Sequence, residues 1–288
     1  MQTYKLKKVL TDEQGEALKG KFLDSSHYDI LITDDADGYD MYGNLLFRFR
    51  KNIIPYDLLK QGYESFKGSI QFTEGRGIAS GGSFKRIRKD GSVGTTTVGH
   101  KVWSGNVGFM DANSMIRYCR KTAYARDHFE KYKDGVPFVK FISDKYEELC
   151  PDHYKKQIAI SRGTNKNYRI EDTAFTTVTV NKNFRTAVHK DSGDFPQGFG
   201  NLSCYREGYY DGCYFCLPEY RVAVDLQNCD LLFADVHKWH GNTNFINPSE
   251  DYLRISFVMY YREYLYLCKT PKDELKRVKL DQLGYYKL

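Results

Sequence analysis

The stretch FRTAVHKDSGDF, residues 184 to 195, carries His189 and Asp191 two positions apart. In an extended chain residues i and i+2 point to one face, so an imidazole and a carboxylate converge there. That pair suits a metal or a catalytic dyad, and a strand also acquires it by chance. Further on, FADVHKWHGNTN (233–244) brings His237 and His240, and Arg254 follows fourteen residues after His240 in LRISFVMYYR. Two imidazoles and one carboxylate occupy one face of an octahedral ion and leave three positions open, the donor set of mononuclear iron(II) that takes a bidentate cosubstrate and dioxygen. An arginine is shaped to hold the far carboxylate of a keto-diacid through two parallel hydrogen bonds. His-x-Asp alone is a weak signal. His-x-Asp, then His, then Arg, in that order on a β-rich background, is a much stronger one.

These residues need strands to position them. After residue 173 short apolar runs follow one another: FTTVTVN (175–181), FRTAVHK (184–190), GNLSCYR (200–206), CYFCLP (213–218), YRVAVDL (220–226), DLLFADVH (230–237) and YLRISFVMYYR (252–262). Their spacing and turn residues predict a β-sandwich or barrel. Arg254 then shares a face with Ser256, opposite Ile255 and Phe257, and a guanidinium aimed into a barrel needs an anion. His237 and Trp239 alternate with Lys238 and His240, so only one of the two histidines faces a metal. The distance to Arg254 and the following GNT favour His240.

Before residue 173 the pattern is mixed. YDILITDD (28–35) and LLFRFRKNIIP (45–55) read as strands, and YDLLKQGYESFKGSI (56–70) as an amphipathic helix with Leu58, Leu59, Tyr63 and Phe66 on one face. ANSMIRYCRKTAYARDHFEKYKDG (112–135) reads as one long helix closed by Gly135, and 143–161 as a second helical region interrupted at Pro151. Residues 74–108 are glycine-rich. Within them FKRIRKDGSV looks like a hairpin whose Lys85, Arg86, Arg88 and Lys89 make the densest cationic spot, suited to phosphate contacts or to a solvated loop tip.

Composition sets the frame. The chain has 288 residues, 41% hydrophobic and 15% aromatic, which supports a folded core, and its net charge of +6 permits a nucleic-acid partner without demanding one. No apolar run long enough to span a membrane and no basic-then-apolar leader are seen, so a cytoplasmic protein without a secretion signal is the expectation. The seven cysteines form no dense disulfide framework, and Cys213 and Cys216 in CYFC lack the further ligands of a zinc site and read as reduced thiols. One compact unit is expected: support and substrate loops over 1–172, a catalytic β core over 173–268 and a tail over 269–288.

With those residues in view, the chain resembles the TET/JBP group of iron(II)- and 2-oxoglutarate-dependent dioxygenases, most closely its viral and microbial members. TVNKNFRTAVHKDSGDFPQGFGNLSCYREGYYDGCYFCLPEYRVAVDLQNCDLLFADVHKWHGNT and RISFVMYYRE carry the resemblance, helped by RGIASG (76–81) and SGNVGFMD (104–111). It implies an α+β protein with a mainly β core, a double-stranded β-helix (jelly-roll) with flanking helices. It implies Fe(II) on His189, Asp191 and His240, 2-oxoglutarate on Arg254 with Ser256 as a second donor, and Asp194 on a base flipped out of DNA. Arg76, Lys85, Arg86 and Arg88 are expected on the substrate side. Arg185 and Arg206 are candidates for the other carboxylate or a phosphate. The implied reaction consumes dioxygen and hydroxylates the 5-methyl group of a pyrimidine. An aspartate accepts from the amino group of cytosine and meets the O4 of thymine less well, so 5-methylcytosine is favoured, with thymine as the alternative. Glu74-Gly75-Arg76-Gly77 departs from the family's usual Asn before Arg-Gly, which leaves base identity open. A protein or small-molecule hydroxylase and a non-enzymatic β-barrel are the rival classes. A monomer is expected.

Overall fold

The computed structural model describes residues 1–81, 91–92, 99–113 and 116–282, without the side chains of the last two. Strands are numbered along the chain. The first eight are β1 (Gln2–Leu6), β2 (Ile30–Ile32), β3 (Ala36–Asp40), β4 (Leu45–Arg50), β5 (Gln71–Thr73), β6 (Val102–Met110), β7 (Arg120–Lys121) and β8 (Thr177–Lys182). The rest are β9 (Gly200–Glu207), β10 (Asp211–Gly212), β11 (Phe215–Leu217), β12 (Val222–Val224), β13 (Leu231–Ala234), β14 (Gly241–Asn242), β15 (Phe245–Ile246) and β16 (Leu253–Tyr260). The helices used below are α1 (Asp12–Ala17), α2 (Tyr56–Phe66), α3 (Ala123–Asp127), α4 (Phe129–Leu149), α5 (Pro151–Gly163) and α6 (Pro271–Gln282).

Two sheets carry the fold. The larger runs β1-β3-β4-β13-β9-β16-β8-β6-β5, with β7 on the end of β6, and the smaller runs β14-β11-β12-β2. Phe47, Phe49 and Leu232 of the larger sheet meet Phe215, Leu217, Val222 and Val224 of the smaller one in a single apolar cluster. The two facing sheets form the double-stranded β-helix. Alternation explains what each face does. In β8, Val178 and Val180 are fully buried against the helical layer, while Thr179 and Asn181 turn to the inside of the barrel. In β16, Ile255, Phe257 and Met259 join the helical cluster, and Arg254, Ser256, Val258 and Tyr260 face inward. The central strands are thus apolar behind and polar in front, which fixes their register.

Helices α2, α4 and α5 cover the back of the larger sheet. Phe138 of α4 meets Phe257 edge-on, with ring centres 5.2 Å apart. Each fully buried phenylalanine contributes about 1.5–3 kcal/mol. The long helix expected over 112–135 is not formed: residues 120–121 are β7, a cap at Thr122 opens α3, and α4 runs through Gly135. Gly135 closes nothing. A Cβ there would stand 2.3 Å from the Phe66 ring, and one on Gly62 would stand 2.4 Å from Phe138, so these glycines let α2 and α4 approach closely. Pro151 begins α5, where its missing N–H costs no helical bond.

FRTAVHK does not form the expected strand. Ala187 N–H donates to Ala79, Val188 to Lys21 and His189 to His240. Three successive partners from three parts of the chain leave only one isolated bridge, between His189 and His240. Cys213 and Cys216 are free and buried, and Cys119 is joined to Cys268, a pairing that its position in the sequence did not announce. Among the described residues no helix is long and apolar enough to cross a membrane.

Candidate active site

His189 and His240 face each other across that bridge. Each backbone N–H donates to the other's carbonyl, at 2.9 and 3.0 Å, and the rings lie 4.3 Å apart. His189 Nδ1 is 2.8 Å from the Ala187 carbonyl and His240 Nδ1 is 3.0 Å from the Lys238 carbonyl. A carbonyl only accepts, so each Nδ1 bears a proton and each Nε2 is the atom left to ligate a metal. Both Nε2 atoms turn toward Asp191, at 3.4 Å from Oδ1 for His189 and 3.7 Å from Oδ2 for His240. Asp191 N–H donates to Val236 at 3.0 Å, which fixes the carboxylate between the rings. One donor atom from each of the three lies within 4.8 Å of the others.

The electrostatics follow from burial and neighbours. Burial, reinforced by His189, pushes the His240 pKa down to about 4, so this imidazole is neutral and free to ligate. Burial acts to lower His189 as well, but the Asp191 carboxylate outweighs it and raises the pKa. Burial acts to raise Asp191, and His189 and His240 overcome it, holding the carboxyl far below the usual range. Two imidazole nitrogens and one ionised oxygen, with orienting hydrogen bonds behind both rings, fit an iron(II) ion. His237 takes no part. Its Nδ1 lies 3.3 Å from Asp235 and it does not line the cavity.

The triad opens into a cavity of about 630 Å³. Arg254 lies in its wall, 5% exposed. Burial opposes its charge, and the groups acting most strongly in its favour are Cys213, Tyr210 and Cys204, none of them a carboxylate. Across the strands it stands opposite Arg206, whose own charge is met by Asp225 at 3.8 Å. A buried guanidinium so placed calls for an anionic ligand. Ser256, two residues on, lines the same wall and accepts from Asn181 Nδ2 at 3.4 Å.

Six residues beyond Arg254, about 20 Å at 3.3 Å per residue, a second polar group gathers. Tyr260 Oη is 3.2 Å from Thr179 Oγ1. Arg262 holds Asp111 with Nε and Nη2, at 2.8 and 2.7 Å. Arg76 donates to Ser104 Oγ at 2.6 Å and Asn106 Oδ1 at 3.1 Å, which pins it to β6. Asp194 completes the group. Burial, then the negative charge of Asp191, raise its carboxyl well above the usual range, against the pull of Arg262 and Arg76. All four line the cavity.

The structure therefore brings together His189, Asp191, His240, Arg254, Ser256, Asp194 and Arg76. Arg185 is different. It stacks on Phe22, 4.9 Å from the ring centre, donates to the Leu23 carbonyl and is not part of the cavity wall. The irregular path of 184–188 turns it to the amino-terminal segment. Lys85, Arg86, Arg88 and Lys89 lie outside the described residues. Tyr260 and Arg262 escaped the sequence reading, although alternation along β16 continues from Arg254 and Ser256 straight to them.

The Tet_JBP family, the oxygenase domain of the 2OGFeDO superfamily, matches residues 108–263. The chain belongs to this family. Fe(II) and 2-oxoglutarate are the cofactors of its oxygenases. The bifunctional helicase and thymine dioxygenase JBP2 of Leishmania tarentolae is 36% identical over 186 residues, 62% of this chain and 16% of that protein. Thymine dioxygenase JBP1 of Trypanosoma brucei brucei is 35% identical over 180 residues, 61% of this chain and 21% of that protein. The chain thus spans only a small fraction of the length of these relatives. NgTET1, solved in complex with 5mC DNA, superposes with a TM-score of 0.58 over 86% of this chain and 89% of its own, at 16% identity. That likeness shows the fold.

Proposed function

We propose that this domain hydroxylates the 5-methyl group of a pyrimidine base in DNA. His189, Asp191 and His240 hold Fe(II), Arg254 takes the far carboxylate of 2-oxoglutarate by a two-point bond, and Ser256 is the second donor. Bound there, the metal and its keto-acid supply the activation of dioxygen that a C–H bond of a methyl group requires. The chain's own part is to position and to shield. One observation carries the reading: a single cavity joins the triad to an anion-seeking Arg254 at one end and to Asp194, Arg76, Tyr260 and Arg262 at the other. A base inside a duplex cannot reach such a cavity unless it flips out, and a flipped base is read on its Watson–Crick edge.

Thymine is the substrate we place first. The curated relatives at 35–36% identity are named as thymine dioxygenases. The chemistry of the far end supports the same reading: Asp194 would accept from the N3–H of thymine, and the guanidinium donors of Arg76 and Arg262 not spent on Ser104, Asn106 and Asp111 would meet its carbonyl oxygens. 5-Methylcytosine is the second reading, supported by Asp194 as acceptor for its amino group. Nucleoside mass spectrometry tests both. The protein is incubated with Fe(II), 2-oxoglutarate and duplex DNA containing thymine and 5-methylcytosine, with His189→Ala beside it. One added oxygen on thymidine, absent with the variant, is the expected result. Oxygen on 5-methylcytidine alone transfers the assignment to the second reading. Succinate with no oxidised nucleoside removes DNA as the substrate.

A further inference from the structure

Beside the Asp194 end of the cavity runs a ridge that the reaction above does not use. Residues Glu263–Leu267 form a short 3-10 turn directly after Arg262. Glu263 N–H donates to the Gly193 carbonyl at 3.0 Å, which seats the turn on the loop that carries Asp194. Leu265 is buried, whereas Tyr264 and Tyr266 are 49% and 48% exposed. Tyr264 follows two residues after Arg262, which grips Asp111 at the cavity wall.

The segment before α3 forms the other flank of the ridge, and several bonds tie the two together. Cys119 is linked to Cys268, Cys119 N–H donates to Glu274 Oε2 at 2.8 Å, and Lys269 N–H donates to Glu274 Oε1 at 2.9 Å. Arg120 Nη1 donates to the Asp111 carbonyl at 3.0 Å. Arg117, Lys121 and Lys269 are exposed along this joined surface. Of the acids on this surface, Asp111 and Glu274 are buried and already engaged, by Arg262 and Arg277, and Glu263 lies beside Tyr264 in the turn. Exposed aromatic faces interleaved with cations are what a nucleic-acid strand needs: bases stack on the rings and phosphates meet the charges.

We propose that this ridge carries the DNA strand flanking the flipped pyrimidine, with Tyr264 stacked on a base next to the vacated position and Arg117, Lys121 and Lys269 facing phosphates. A flipped nucleotide leaves its neighbours without a stacking partner, and an aromatic face at the rim of the pocket replaces part of what they lose. Such a contact tolerates any sequence, because every base has a π-face. The inference rests on the DNA reading given above.

The test is fluorescence anisotropy of a labelled duplex with the full chain, Fe(II) and 2-oxoglutarate, without dioxygen. Tyr264→Ala is expected to weaken DNA binding about tenfold, and Tyr264→Phe, which keeps the ring, to bind within about twofold of the parent. Arg117→Ala is expected to lower the slope of log K against log salt by about one phosphate contact. The affinity for 2-oxoglutarate, measured by calorimetry on the same variants, is expected to be unchanged, which separates a local contact from a damaged fold. Parent-like DNA binding by Tyr264→Ala, with the parent binding and oxidising DNA, overturns the ridge and leaves the DNA reading intact. A parent chain that neither binds nor oxidises DNA overturns both.

Discussion

Replacing Arg254 by Met separates what this residue does for the fold from what it does for a ligand. Arg254 is 5% exposed, and no carboxylate is among the groups acting most strongly on it. The groups that raise its pKa, Cys213, Tyr210 and Cys204, are themselves kept neutral by burial, so near neutral pH the guanidinium has no charged partner among them, and apolar replacements of such buried ionic groups are often neutral or stabilising. The ligand-free Arg254→Met protein should therefore melt at or above the parent's temperature, by the equivalent of about 0–2 kcal/mol. Binding should move the other way. Charge-assisted hydrogen bonds are worth about 1.5–3 kcal/mol each, so loss of a two-point bond costs about 3–5 kcal/mol, a rise in Kd of about two to three and a half powers of ten. Anaerobic calorimetry with 2-oxoglutarate measures this directly. Oxalate is the control, since it offers the same bidentate head without the distant carboxylate, and its affinity should be nearly unchanged. A 2-oxoglutarate affinity within threefold of the parent, or an equal loss for oxalate, would refute the assignment of Arg254 to the tail.

Other outcomes follow from the same geometry. His240→Ala should abolish stoichiometric Fe(II) binding in equilibrium dialysis, whereas His237→Ala, outside the cavity wall, should leave it intact. Gly135→Ala should destabilise the fold by about 1–3 kcal/mol through overpacking against Phe66, read from denaturant midpoints. Asp37 is buried against Arg48 and Arg50, at 2.5 and 2.8 Å. Burial would raise its carboxyl, but the two guanidiniums hold it below the usual value of 3.8. Its folded pKa being depressed, its contribution is complete above pH 3.8 and is lost as pH falls through the lower folded value. Asp37→Asn should cost about 3 kcal/mol at neutral pH, and the gap in melting temperature between parent and variant should narrow below about pH 4.

The chemistry was legible in the sequence where spacing alone determines direction. Strand alternation put Arg254 and Ser256 on one face and Ile255 and Phe257 on the other, and both the helical layer and the cavity obey it. The order His189, Asp191, His240, Arg254 singled out four residues that the structure brings to one cavity. Contacts between distant parts of the chain were not legible. FRTAVHK alternates like a strand, yet three partners divide it, and Arg185 follows the backbone out to Phe22. Gly135 looked like a helix end because glycine often is one, while its actual use, close packing on Phe66, depends on a helix some seventy residues earlier in the chain. Tyr260 and Arg262 were within reach of the same alternation that found Ser256. Only their partners Thr179 and Asp111, from other strands and loops, reveal what they hold.

At the heart of the proposal, the triad directs an atom of dioxygen onto a methyl group of a DNA base. Reaction under ¹⁸O₂ with Fe(II), 2-oxoglutarate and duplex DNA, followed by mass spectrometry of nucleosides and succinate, probes that step itself. Expected are ¹⁸O in the hydroxymethyl group of one nucleoside, matched by labelled succinate, and neither product from Asp191→Ala. Oxidised nucleoside formed equally by Asp191→Ala, or labelled succinate from the parent with every nucleoside unchanged, would contradict it.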